Sequence, residues 1–173
     1  MSHELELKKK LFTKLGSRFP AISKKLADGY QPIVVKEPIP WTKLDKPISE
    51  SRVALITTAG IHHASQQPFD LQDEDGDPTF RILDGSTLLD NFIISHDSYD
   101  HTHAEKDPNV VFPLERLKEF EREGTIGELA PHHYGFMGHI LGKHLPELVE
   151  KSAVEVAAHL KNDQVDLVIL TPA

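Results

Sequence analysis

The feature that most constrains this chain is an alternation in which short apolar runs that read as strands are separated by stretches with apolar residues at helical spacing. The run Arg-Val-Ala-Leu-Ile-Thr over 52–57 closes on Thr58, Ala59 and Gly60 and reads as a central strand followed by a tight turn. A second run, Phe-Ile-Ile-Ser over 92–95, ends at His96, and a third over 165–171 stops at Pro172 and Ala173. Between them, Pro113 opens a helical pattern over 114–123 with Leu114, Leu117 and Phe120 on one face and Gly124 at its end. A longer pattern over 146–161 carries Leu148, Val149, Val156 and Leu160 on its apolar face, with Asn162 just past its end. Strands alternating with helices predict an α/β fold, a Rossmann-like or flavodoxin-like three-layer sandwich with a mainly parallel sheet. Ligands gather at the carboxyl ends of such strands, so the segments after Thr57, Ser95 and Thr171 share one rim if all three strands are parallel.

Ahead of this α/β region, over 52–173, two segments differ in character. Over 1–30, Leu7, Leu11, Leu15, Phe19, Ile22 and Leu26 recur mostly four apart, predicting two short helices over 4–16 and 20–28. Pro20 sits in the first turn of the second helix and Gly29 stops it. Seven basic residues among the first 25 face only Glu4 and Glu6, so this extension is a solvated basic helix pair or one that docks on a partner or a membrane surface. Over 31–51, Pro32, Pro38, Pro40 and Pro47 around Trp41 predict an extended linker or wrapping arm. The whole chain has 173 residues, enough for one compact domain. Its 19 basic and 27 acidic residues leave a charge of −8, which excludes a generally basic nucleic-acid binder. No run of about 18 apolar residues provides a transmembrane segment, and the continuous apolar stretch of a secretory signal is missing, so a cytoplasmic location is expected. With no Cys, the residues present offer no disulfide, thiolate zinc site or cysteine nucleophile.

The acidic stretch over 70–77 invites a calcium-loop reading, but placing Gly76 sixth puts Leu71 first and Ile82 twelfth, where ligands belong. It reads as a solvated acidic loop. No glycine-rich dinucleotide turn, phosphate loop, nucleophile elbow or His-Glu-x-x-His pattern occurs. Nine of the eleven histidines group as His62 with His63, His96 with His101 and His103, His132 with His133, and His139 with His144, in segments that read as loops. Neutral imidazoles with Asp97, Asp100 and Asp107 could ligate zinc or iron, yet no spacing requires a metal, and none is assigned. Histidines on a ligand rim can also donate protons near neutral pH. The segment 132–138 (His-His-Tyr-Gly-Phe-Met-Gly) suits either a pocket wall around a small ligand or core packing under a loop. Asp107, Pro108 and Asn109 read as a turn that starts the next element.

Taken in order, Pro40-Trp41-Thr42, the stretch from Val53 to His62, Pro68-Phe69-Asp70, Gly76-Asp77, Phe80-Arg81, Ser95-His96, Tyr99-Asp100, the stretch from Asp107 to Leu117, Glu123-Gly124, the stretch from Ala130 to Gly138 and that from Val165 to Pro172 carry a resemblance. Over about 38–173 the chain resembles the selenocysteine-containing selenoprotein B family of glycine, sarcosine, betaine and D-proline reductases. The 134–138 segment looks closer to the D-proline branch. The resemblance implies reductive cleavage of a C–N bond in a small amino acid, with a selenocysteine expected just after Ala173 and a pyruvoyl group on a partner subunit. The given residues would then be the amino-terminal part of a longer domain, cut where a UGA codon is read as stop. It further implies catalytic roles for His62, His96, Asp100 and His133, and substrate contacts from Thr58, Gly60, Arg81, Asp107, Asn109 and Tyr134. The chain itself would carry no cofactor, and assembly into an oligomer with the pyruvoyl subunit is expected. A binding or scaffold homologue lacking the redox loop, and a His/Asp metal-dependent hydrolase, are the competing readings.

Overall fold

In the computed structural model, the structure describes residues 42–173 together with Phe19, Ala21 and Lys24. The chain divides into two compact units, Lys46–His96 with His101–Ala173, and Met1–Asp45 with Asp97–Asp100. The elements below belong to the first of these. The helices predicted over 4–16 and 20–28, and the arm up to Trp41, lie outside the described residues.

Seven strands are present among the described residues: β1 (Arg52–Thr57), β2 (Ile61–His63), β3 (Phe80–Asp84), β4 (Phe92–Ile94), β5 (Glu128–Leu129), β6 (His132–Phe136) and β7 (Leu167–Thr171). The helices are α1 (Leu114–Arg122) and α2 (Ala153–Asn162). β1 is the centre of a five-stranded sheet. Along one edge it pairs in parallel with β7 from Val53 to Thr57; along the other it meets β5 at Arg52 and Val53, then β6 at Ile56 and Thr57. β3 closes the far side, antiparallel to β6. The result is the α/β architecture with a mostly parallel sheet that the alternating pattern predicts.

Both faces of the sheet are covered at β1, which is why β1 is apolar at successive positions. Val53, Leu55 and Leu83 pack with Phe112, Leu114, Leu117 and Ile126 on one side. Tyr134, Phe136 and Val156 pack with Ile56, Phe80, Leu148 and Leu160 on the other. Asn109 Oδ1 accepts from Glu115 N–H at the start of α1, satisfying an otherwise orphaned amide. The helix ends at Gly124, whose φ of +71° lets Thr125 N–H bond back to Phe120 O.

Four details depart from the sequence reading. The 92–95 run supplies β4, but β4 pairs antiparallel with β2 in a separate two-stranded sheet, so only β1 and β7 of the three runs end on the parallel rim. The segment 132–138 is mostly the strand β6 rather than a loop, and His62, His63, His132 and His133 therefore lie on strands. The 146–161 helix is interrupted: a helical turn (Leu145–Glu147) runs into a wide π turn (Leu148–Ser152) before α2. Its extra residue rotates the pattern, leaving Val149 63 % exposed while Ser152 is buried. Phe120 on α1 is likewise 44 % exposed, and β7 is less buried than its composition suggests, with Leu170 70 % exposed.

Candidate functional site

The carboxyl ends of β1, β6 and β7 are joined into one rim. Thr57 Oγ1 and Thr171 Oγ1 both donate to Val111 O at 2.8 Å. Thr58 N–H donates to Thr171 O at 3.1 Å, and Thr58 Oγ1 accepts from Ala173 N–H at 3.2 Å. Gly60 N–H donates to Phe136 O, and Ser95 N–H to Gly60 O. Backbones approach so closely here that side chains are excluded. A Cβ on Gly60 would lie 2.4 Å from Ser95 O, and one on Gly138 would lie 2.3 Å from Thr58 O; both glycines have positive φ.

His62 stands beside this rim on β2 and is completely buried. Its Nδ1 lies 3.0 Å from His63 O and its Nε2 2.9 Å from Ser95 Oγ. A carbonyl can only accept, so Nδ1 carries the proton, Nε2 keeps its lone pair, and Ser95 Oγ–H donates to it. Burial lowers the His62 pKa, opposed by the bond to the His63 carbonyl and assisted by Arg81 and His63. His96, also buried, packs its Cβ against the Gly60 backbone.

His133 and Tyr134 do not share a wall, because adjacent strand residues face opposite sides of the sheet. His133 points toward Phe112, and its Nδ1 accepts from Leu55 N–H at 3.0 Å. That bond stands where the β1 ladder passes from β5 to β6, so a ring nitrogen replaces a missing backbone carbonyl. His133 Nε2 is buried with no partner, and burial pulls the pKa down to about 4. Tyr134 lies on the other face among Phe80 and His159, its hydroxyl pushed up to about 12 by burial and then by Asp163.

A pocket of about 500 Å³ opens over the acidic loop, lined by Asp70, Asp73, Asp77, Thr79, Arg81 and His144 among others. Its charges are already paired. Arg81 donates from Nε to Gln67 O, from Nη1 to Thr79 Oγ1 and Phe80 O, and from Nη2 to Pro68 O. It lies 3.6 Å from Asp77 Oδ2 and stacks over Phe69 at 4.3 Å. Burial pushes Asp77 up, but hydrogen bonds from Thr79 and from Asp70 N–H outweigh it and leave the pKa lowered. Lys143 first, then His144, hold Asp73 well below the usual carboxylate range. Among the described residues, no three His, Asp or Glu side chains are grouped to hold a metal ion.

Comparison with known proteins decides the family. Residues 26–173 match the family described as Glycine/sarcosine/betaine reductase selenoprotein B. The chain belongs to this selenoprotein B family. It is 36 % identical over 139 residues to D-proline reductase subunit gamma of Acetoanaerobium sticklandii, covering 80 % of this chain and 55 % of that protein. It is 35 % identical over 114 residues to sarcosine reductase complex component B subunit beta of Peptoclostridium acidaminophilum, covering 62 % of this chain and 25 % of the relative. Glycine reductase complex component B subunit gamma of Carboxydothermus hydrogenoformans is 30 % identical over 142 residues, which is 81 % of this chain and 32 % of the relative. The chain thus spans about half the length of the first relative and a third or less of the other two. No solved structure matches it.

Of the residues that the selenoprotein B resemblance implies, the fold gathers Thr58, Gly60, His62 and His96 at the rim. Asp107 and Asn109 are bonded to each other ahead of α1, Asp107 Oδ1 accepting from Asn109 N–H and Nδ2–H at 3.0 Å. Arg81 belongs to the acidic pocket, and Asp100 to the other compact unit. Ser95 is the residue that sequence reading missed. The available signal was that the triplets 61–63 and 92–94 could pair, which carries Ser95 alongside His62.

Proposed function

We propose that this chain forms the carboxyl-end rim of an amino-acid reductase subunit that cleaves a C–N bond in a small amino acid, with D-proline the first substrate to test. Membership of the selenoprotein B family and the names of the relatives support the reaction class. The observation that carries the site is the meeting of Thr58, Gly60, Ser95 and His62 where the chain leaves β7. A selenolate from a residue following Ala173 would supply the nucleophile, and a pyruvoyl group on a partner subunit the electron withdrawal that loosens the C–N bond.

In this reading, His62 and His96 hold or move the proton that the leaving nitrogen requires. Thr58 and Gly60 border the substrate, and Asp107 with Asn109 fixes the turn before α1. Arg81, His133 and Tyr134 act at one remove, by holding the 67–70 segment and β6 in place. Isolation of the protein from its native source grown with selenium tests the reading. A selenium-containing species several kilodaltons above 19.4 kDa that turns D-proline into 5-aminovalerate with its partner subunit supports it. A selenium-free protein of 19.4 kDa would replace it with a binding or scaffold role. In the active complex, His96→Gln is expected to abolish turnover, and unchanged turnover removes the proton role.

A further inference from the structure

His62 cannot meet a substrate directly. It has no exposed surface, and both ring nitrogens are committed, Nδ1–H to His63 O and Nε2 to the Ser95 hydroxyl. Phe69 closes its flank, ring edge to ring face at 5.9 Å, and Arg81 stacks on the outer side of Phe69. Among the described residues, the hydroxyl bonded to its lone pair is that of Ser95, which is half-buried and whose backbone is bonded to Gly60 on the rim.

We propose that Ser95 and His62 form a proton-relay dyad in which the Ser95 hydroxyl is the reacting end and His62 Nε2 the buried base behind it. The role deepens the reductase reading and rests on it, since the proton in question is the one the leaving nitrogen takes. The His63 carbonyl fixes the tautomer, as a third group must when an imidazole serves as base toward a hydroxyl. The charged or titratable groups facing the ring are Arg81 from β3 and His63 beside it, and both disfavour its protonation. His62 is therefore neutral and ready to accept at neutral pH.

A base-backed hydroxyl reacts with electrophiles that an ordinary serine ignores, so the dyad is testable by labelling the protein as isolated from its native source, without turnover. With a small dialkyl phosphorofluoridate, the Ser95 Oγ–P bond forms, the P–F bond breaks, fluoride leaves and the Ser95 proton passes to His62 Nε2. Peptide mass spectrometry is expected to find Ser95 labelled at least about tenfold faster than exposed Ser86, whose hydroxyl bonds only Asp84. His62→Gln should remove that advantage. The wild-type chain gives a second readout that needs no variant: labelling at Ser95 should fall on acidification with a midpoint below 6.5, while Ser86 shows no such step. Equal rates at the two serines, preferential labelling of exposed Ser65 beside half-buried His63, or a Ser95 rate indifferent to both pH and His62→Gln would overturn the proposal. Labelling without reductase turnover in the assembled complex would instead count against the reductase reading, so the two can fail separately.

Discussion

The rim at the end of β1 and the pocket bounded by Arg81 lie on the same unit and are built from opposite chemistry. The pocket is dense in charge, yet its groups are committed: Arg81 holds three carbonyls and a hydroxyl, and Asp73 holds Lys143 and His144. The rim has little charge but keeps a neutral imidazole with a lone pair and a hydroxyl aimed at it. Charge density marks where the loop is stapled, whereas reactivity needs a group whose proton is still in play. What holds the rim together is close backbone packing at glycines, and what holds the pocket together is side-chain fork geometry.

Breaking the rim should therefore have the largest effect. Gly138→Ala places a Cβ 2.3 Å from Thr58 O at φ +87°, so strand ends must move apart. A loss of about 3 kcal/mol or more is expected, a fall of roughly 10 °C in Tm. Gly124→Ala is the matched control: φ is +71° but nothing lies within 4 Å of the new Cβ, so only the left-handed strain of about 1 kcal/mol remains. Equal melting shifts for the two variants would show that backbone crowding does not hold the rim.

Next in size is the acid response of His133. Its folded pKa of about 4 lies below the ordinary 6.5 of an unfolded chain, so the folded state binds fewer protons. Its contribution is complete above pH 6.5 and is lost as pH falls toward 4, amounting to about 3 kcal/mol. Urea midpoints at pH 7 and 4.5 should differ accordingly, and His133→Gln should flatten the dependence while lowering stability at pH 7, where Leu55 N–H loses its imidazole acceptor. A His133→Gln protein with the full wild-type pH slope would assign that slope elsewhere.

The contrast also explains what was legible in the sequence. β1 and α1 were readable because burial on two faces demands an unbroken apolar run and burial on one demands helical spacing, and β7 carries the same apolar run although none of its residues is fully buried. β6 was not, since His-His-Tyr-Gly-Phe has neither pattern: His133 is in the core because its ring completes a ladder bond, and Gly135 is there because Ile61 O passes 2.4 Å from where its Cβ would sit. Both are tertiary facts with no local signature. The three-residue run of β4 was visible but its direction was not, because parallel and antiparallel pairing draw on the same residues. At the site, the strand pattern put the segment after Thr57 on a ligand rim, and the roles of Thr58, Gly60 and His62 within it came from the resemblance. Ser95 became apparent only once β2 and β4 were paired. Arg81 was read as a substrate contact from a resemblance that says nothing of how many of its N–H groups are already taken.

The pocket should answer perturbation more quietly, in proportion to how exposed each pair is. Arg81→Lys keeps the charge but loses the planar fork and the stacking on Phe69, at a cost of about 1–2 kcal/mol and with earlier proteolysis of the 66–70 segment. Asp73→Asn is the mildest change. It removes the acceptor for Lys143 Nζ at 2.7 Å and His144 Nε2 at 3.0 Å, but these side chains keep contact with water, which replaces what is lost. The depressed Asp73 pKa means that its pairing favours the fold above the usual carboxylate range and that this benefit disappears as acid protonates it. Melting curves of Asp73→Asn should therefore coincide with wild type at high salt and separate slightly at low salt and neutral pH. A large salt-independent loss would mean that the pocket is held by its charges after all, and that the division between a packed rim and a stapled pocket is drawn in the wrong place.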